Sequence, residues 1–166
     1  LRAQADEAAG TGPLVIDTDL GLDDAVAVAL ALQSPHLEVA SLVATEGVAG
    51  EDRGSRAWRL LDFFNRHDVA LSVAPSAVPR PAAPPFRAFA TAALDRALPP
   101  DESSQQHPGL TAQSYAPADG RTTVLALGPL TGLAAALRAE PQLAARIARV
   151  IVAGPSDPEQ NWNLRF

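Results

Sequence analysis

Three residue types that support common enzyme chemistry are missing from the sequence. None of the 166 residues is Cys, Met or Lys. Without Cys the chain has no disulfide, no thiolate nucleophile and no cysteine zinc site. Without Lys it has neither a Schiff-base lysine nor the lysine of a P-loop. These absences exclude several classes of enzyme before any motif is considered.

Long hydrophobic runs and an excess of positive charge are also missing. The longest unbroken apolar run covers the eight residues 25–32, whereas a membrane-spanning helix needs about 20. Thirteen basic residues stand against 19 acidic ones, giving a net charge of −6, which disfavours contact with a phosphate backbone. We therefore expect neither a membrane nor a nucleic acid polymer as a partner.

The remaining composition is typical of one folded domain. Hydrophobic residues make up 47% of the chain and charged residues 19%, and the length suits a single domain. Residues 1–12 are small and polar and are predicted to form a flexible lead-in, as is left when a signal peptide is removed. Both a cytoplasmic and an exported location stay open, and the predicted domain covers residues 13–166.

Strand and helix patterns alternate along this domain. The predicted strands cover residues 14–16, 37–45, 69–73, 122–127 and 150–153. The predicted helices cover residues 23–33, 51–66, 86–98, 130–139 and 142–148. Residues 74–85, interrupted by prolines, and the polar residues 101–120 are predicted to be irregular. The alternation predicts an α/β fold, an open, mostly parallel, Rossmann-like sheet with helices on both faces.

Ligands of such sheets bind where the carboxyl ends of the strands meet. Four aspartates, Asp17, Asp19, Asp23 and Asp24, lie at such a point, and Gly21 lets the connecting loop fold tightly. Carboxylates this close repel each other unless a cation compensates, and hard divalent ions take six to eight such oxygens. The cluster therefore predicts a cation site. In the structural alternative Asp23 and Asp24 cap the helix while Asp17 and Asp19 face solvent.

Four segments resemble the inosine/uridine-preferring nucleoside hydrolase family. Residues 15–25 (VIDTDLGLDDA) resemble its D-T-D-x-G-x-D-D-A signature, and residues 126–134 (ALGPLTGLA) resemble its G-P-L-T-N-(I/L)-A turn. Residues 149–154 and 161–166 resemble the following strand and the E-F-N segment. The resemblance extends from Leu14 onward, but the family domain is considerably longer, so we expect this domain to be incomplete at its C-terminus.

The resemblance implies hydrolysis of the N-glycosidic bond of a ribonucleoside to ribose and free base, a reaction of purine and pyrimidine salvage, with Ca²⁺ as cofactor. It implies that Asp19, Asp24 and the backbone carbonyl of Leu127 bind the ion. Asp19 would also accept a proton from the attacking water, and Asp17 would orient the loop. The sugar-binding residues that it implies are Asp23, Asn161 and Asn163.

Three positions depart from the family pattern. Val48 stands where the family has an Asn that contacts ribose, although Glu46 is close to it in sequence. Gly132 replaces the Asn of G-P-L-T-N, and Asn161 replaces the Glu of E-F-N. The family's later calcium-binding Asp and its leaving-group His belong to its C-terminal half. A non-catalytic remnant that binds calcium or a sugar is therefore one alternative function.

A phosphatase of the haloacid dehalogenase type is a second alternative, with Asp17 as nucleophile and Asp19 as acid and base. The missing lysine argues against it, because that chemistry usually uses one to hold the phosphoryl group.

We expect a small nucleoside as ligand. We also expect a homo-oligomer, because a sheet that ends at Val152 leaves an edge for another protomer to cover. The histidines lie outside the predicted crevice loops and are expected on the surface. They are His36, His67 and His107.

Overall fold

A computed structural model of the protein describes residues 12–45, 53–74, 85–100, 107–117, 121–154 and 157. Its five strands form one sheet: β1 (Leu14–Thr18), β2 (Val39–Ala44), β3 (Ala70–Val73), β4 (Thr122–Ala126) and β5 (Ile147–Val152). The strand order is β3-β2-β1-β4-β5, and every neighbouring pair is parallel. The predicted parallel sheet is confirmed.

Helices cover both faces of this sheet. They are α1 (Leu22–Gln33), α2 (Arg53–Phe63), α3 (Pro85–Ala97) and α4 (Thr131–Ala139). Side chains of α1, α2 and α3 pack with Ile16 in one hydrophobic core, whereas Leu133 of α4 packs with Val15 and Val124 in the other. The predicted α/β architecture, with helices on both faces, is therefore confirmed.

The central strand β1 determines which way the first aspartate points. All five of its residues are buried, as expected for a strand that has neighbours on both sides and helices on both faces. Because side chains alternate along a strand, Asp17 shares a face with Val15 and points to the side of α4. A carboxyl group is thus placed among the residues of the smaller core.

Two segments differ from the sequence-based prediction. The predicted helix 142–148 is a 3-10 helix, Pro141–Arg146, and β5 begins three residues earlier than predicted because Ile147 already pairs with Thr122. Pairing with β4 overrides the local helix preference of this alanine-rich stretch. The predicted polar loop contains a second 3-10 helix, Ala112–Ser114, followed by the fully buried Tyr115. The predicted irregular segment lies largely outside the described residues.

The edge strand β5 is the most exposed strand of the described sheet. Val150 and Ile151 are 41% and 45% exposed. The self-association expected from the sequence stays a prediction. In the described parts of the chain, no helix is both long and apolar enough to cross a bilayer.

Candidate functional site

The strand order reverses beside β1, and this reversal defines the candidate site. From β1 the chain proceeds outward through β2 and β3 on one side, and through β4 and β5 on the other. In open α/β sheets the crevice at such a reversal, outside the carboxyl ends of the strands, is the usual ligand site. The loop after β1 carries the aspartates, and the loop after β4 lies beside it.

These two loops pack backbone against backbone. The N–H of Leu127 donates to the carbonyl oxygen of Asp17 at 2.7 Å. A Cβ atom on Gly128 would lie only 2.7 Å from the backbone nitrogen of Asp19. Glycine is therefore the residue that lets the loop after β4 approach Asp19 this closely.

Thr18 shapes the turn between β1 and α1. Its buried hydroxyl donates to Asp24 Oδ2 at 2.8 Å and accepts the N–H of Leu20 at 2.9 Å. Leu20 has a φ of 50°, a left-handed conformation that costs a non-glycine residue roughly 1–2 kcal/mol. Its side chain is only 1% exposed, so burial of the leucine stabilises the strained turn. The turn brings the start of α1 back against the end of β1.

The carboxyl groups of Asp19 and Asp24 meet in this turn. Both residues are 8% exposed, and the N–H of Gly21 donates to Asp19 Oδ1 at 3.3 Å. Burial, together with the negative charge of Asp19, raises the pKa of Asp24 to about 7. Asp23, in the same helical turn, is exposed. The site therefore combines two buried, mutually repelling carboxyl groups with one accessible carboxylate.

The structural alternative for the aspartates holds only for the place of Asp23 and Asp24 in the helix, since the N-cap is Gly21 and no side chain makes a cap hydrogen bond. Asp23 and Asp24 do occupy the first turn of α1, after Gly21 as N-cap, where negative charge complements the helix dipole. Asp17 and Asp19, however, do not face solvent, since they are 0% and 8% exposed. Helix capping alone gives no reason for burying these two carboxyl groups at a strand end.

Asp17 is held by two hydroxyl groups from distant parts of the chain. The hydroxyl of Thr45, at the end of β2, donates to Asp17 Oδ1, and the hydroxyl of Tyr115 donates to Oδ2 at 2.5 Å. Burial raises the pKa of Asp17 to about 6, although these hydrogen bonds act in the opposite direction. Tyr115 was missed by the sequence reasoning, and its only signal there was a lone aromatic residue in a polar segment.

The donor set fits part of a calcium site. Asp19 and Asp24 supply adjacent carboxyl oxygens, and a cation would offset the burial and the charge of Asp19 that together raise the pKa of Asp24. Leu127 precedes the glycine that packs against Asp19. Over the ranges that the structure describes, no group of three or more His, Asp or Glu residues is arranged to hold a metal ion. The fit therefore rests on two carboxylates.

Other residues singled out in the sequence have different outcomes. Asn161 and Asn163, like Glu46 and Val48, lie outside the described residues. His36 and His67 are exposed as predicted. His107 is half-buried and thus less exposed than predicted, and its Nε2 atom is buried without a hydrogen-bond partner among the described residues.

Comparison with known proteins matches the sequence to one family. A sequence model of the inosine-uridine preferring nucleoside hydrolases matches residues 14–164, which include both loops of the candidate site. The chain belongs to this family. The nucleoside hydrolase resemblance seen in the aspartate motif is thereby confirmed, and the family match disfavours the phosphatase alternative.

Individual nucleoside hydrolases show the same relationship. The pyrimidine-specific ribonucleoside hydrolase RihA of Salmonella newport is 32% identical, with 90% of this chain and 50% of the relative covered. A solved plant nucleoside hydrolase is 28% identical, with a TM-score of 0.67, over 89% of this chain and 49% of that one. An inosine-guanosine nucleoside hydrolase is 26% identical, with a TM-score of 0.71, over 92% and 52%. The chain spans about half the length of the curated relatives it matches.

Proposed function

We propose that the protein hydrolyses the N-glycosidic bond of ribonucleosides, giving ribose and the free base. One observation carries the proposal: Asp19 and Asp24 bring two buried carboxyl groups together at the sheet's ligand-binding crevice. They do so within the segment that matches the nucleoside hydrolase family. The named relatives, which include a pyrimidine-specific and an inosine-guanosine hydrolase, support a nucleoside as the substrate class.

Calcium is the cofactor that we propose for this site. Asp19, Asp24 and the backbone carbonyl of Leu127 would hold the ion, with further oxygen ligands completing the six to eight that calcium prefers. When bound, calcium supplies a positive charge that orients water and sugar oxygens at the crevice. The same charge would favour the ionised form of Asp24, whose pKa burial and the charge of Asp19 raise.

Asp19 is the proposed general base. Its carboxylate is fixed by the N–H of Gly21 and by its contact with Asp24, and it would accept a proton from the water that attacks the sugar. Negative carboxylates close to the ribose also stabilise the oxocarbenium-like charge that develops as the glycosidic bond breaks. No covalent nucleophile is required.

The remaining residues would bind the sugar or support the loop. Asp23 is exposed at the start of α1, where its carboxylate can accept hydrogen bonds from ribose hydroxyls. Asn161 and Asn163 are proposed to hydrogen-bond the sugar. Asp17 would orient the loop, since its carboxyl group and its backbone carbonyl both accept hydrogen bonds from other segments of the chain.

A ribose-release assay on inosine, uridine, guanosine and cytidine tests the proposal. The expected result is release of ribose that requires calcium, stops on chelation and is lost in Asp19→Asn. Calcium binding without ribose release from any nucleoside would overturn the catalytic proposal and favour a non-catalytic member that binds calcium or a sugar. Phosphate release that depends on magnesium and on Asp17 would instead support the phosphatase alternative.

A further inference from the structure

We propose that Tyr115 is a positioning residue for this site, and that Gly132 provides the space its hydroxyl occupies. This inference rests on the proposed function, because it assigns Tyr115 the task of holding Asp17 and, through Asp17, the loop that carries Asp19 and Asp24. The family motifs that identify the chain do not include Tyr115.

Asp17 accepts hydrogen bonds at both carboxyl oxygens and at its backbone oxygen. Its two carboxyl oxygens accept the hydroxyls of Thr45 and Tyr115, and its backbone oxygen accepts the N–H groups of Leu127 and Gly128 at 2.7 and 3.3 Å. Asp17 cannot rotate without breaking buried hydrogen bonds, which are costly to leave unsatisfied. The next residue along β1 carries the hydroxyl that binds Asp24, so the position of Asp17 is transmitted directly to the site.

Gly132 stands where the family motif has asparagine, and the space beside it is already filled. A Cβ atom at this position would lie 2.7 Å from the Tyr115 hydroxyl and 3.1 Å from Thr45 Oγ1. A larger side chain at position 132 and the observed tyrosine therefore cannot occupy this space together. We infer that the tyrosine hydroxyl fills the volume of the missing asparagine and supplies a polar contact to Asp17.

Tyr115 is itself held in place, by the core around its ring and by the 3-10 helix that precedes it. Its ring is fully buried in the smaller core, and it follows a 3-10 helix closed by a capping box between Thr111 and Ser114. The hydroxyl of Ser114 donates to Ser72 Oγ at 2.8 Å, which ties this helix to β3. Side chains that position a site need such packing and hydrogen bonding of their own.

A spectroscopic test is available because Tyr115 is the only tyrosine in the chain. Labelling tyrosine with ¹³C at Cζ gives one resonance that reports on its hydroxyl. We expect this resonance to shift in Asp17→Asn. It should stay in place in the control Asp62→Asn, which removes one carboxylate from the surface of α2. A resonance that does not respond to Asp17→Asn would overturn the inference.

A kinetic test separates positioning from general stability. Tyr115→Phe removes only the hydroxyl, and we expect kcat for ribose release to fall roughly tenfold, with KM nearly unchanged. Leu143→Ala is the control, because it destabilises the same hydrophobic core without removing a hydrogen-bond partner of Asp17 or Tyr115. Equal kcat losses in the two variants would show a merely structural role and contradict the proposal.

A double-mutant cycle tests the shared space by placing Gly132→Asn in the wild-type and Tyr115→Phe backgrounds. We expect the asparagine to lower Tm strongly beside tyrosine and much less beside phenylalanine, where the hydroxyl is gone. Strictly additive losses would show that the two positions do not share this space, and would overturn the inference. If the protein releases no ribose, the proposed function fails. The tyrosine resonance and the double-mutant cycle still decide whether Tyr115 holds Asp17.

Discussion

Replacing Thr18 by valine tests how the turn between β1 and α1 is held. Valine has nearly the same shape but no hydroxyl, so the N–H of Leu20 and Oδ2 of Asp24 each lose a partner at 2.9 and 2.8 Å. Thr18 is 0% exposed, so water cannot replace these contacts. One neutral and one charge-assisted hydrogen bond correspond to a loss of about 2–4 kcal/mol in the free energy of unfolding.

Thr18→Ser is the matched control for this prediction. Serine keeps the hydroxyl and loses one methyl group, which should cost only about 1 kcal/mol. Urea unfolding with a common m value measures both variants, and calcium affinity should fall in the valine variant along with stability. A valine variant as stable as the serine variant would refute the reasoning, because it would show that the hydroxyl does not hold the turn.

Two further predictions concern the same loops. Gly128→Ala should lower the free energy of unfolding by about 1–3 kcal/mol, because its Cβ atom would meet the backbone of Asp19. Gly109→Ala, with nothing within 4 Å of its Cβ, should be nearly neutral in the same denaturation assay. Asp17 and Asp24 have pKa values raised to about 6 and 7 in the folded protein. In the absence of calcium, their contribution to the free energy of unfolding should therefore be greatest below about pH 4 and should be lost as the pH rises through these values. Thermal melts in chelator should show this fall, and a flatter profile in Asp17→Asn; an unchanged profile would contradict the prediction.

The sheet and most of its helices could be predicted from the sequence because their signals are local. The buried strands β1, β2 and β4 are short apolar runs, and the helices between them have length and composition of their own. The aspartate cluster could be placed at a strand end for the same reason. Family motifs then located the loop after β4, near Leu127, beside it.

The contacts that complete the site could not be predicted in this way. Tyr115 and Asp17 lie 98 positions apart, and the polar residues around the tyrosine indicate a loop rather than a core segment. The burial of Asp19 likewise depends on Gly128 in another loop, so its own neighbours in sequence do not reveal it. The start of β5 was misplaced because pairing with β4, a tertiary contact, overrides local helix propensity.

Calorimetric titration of calcium is the measurement that tests the proposed site most directly. We predict saturable binding of about one ion per chain. Binding should be lost in Asp19→Asn and retained in Asp62→Asn, which removes a carboxylate from the surface of α2. The absence of saturable binding at millimolar calcium, or equal binding by the Asp19→Asn variant, would contradict the assignment of these carboxylates to a cation site.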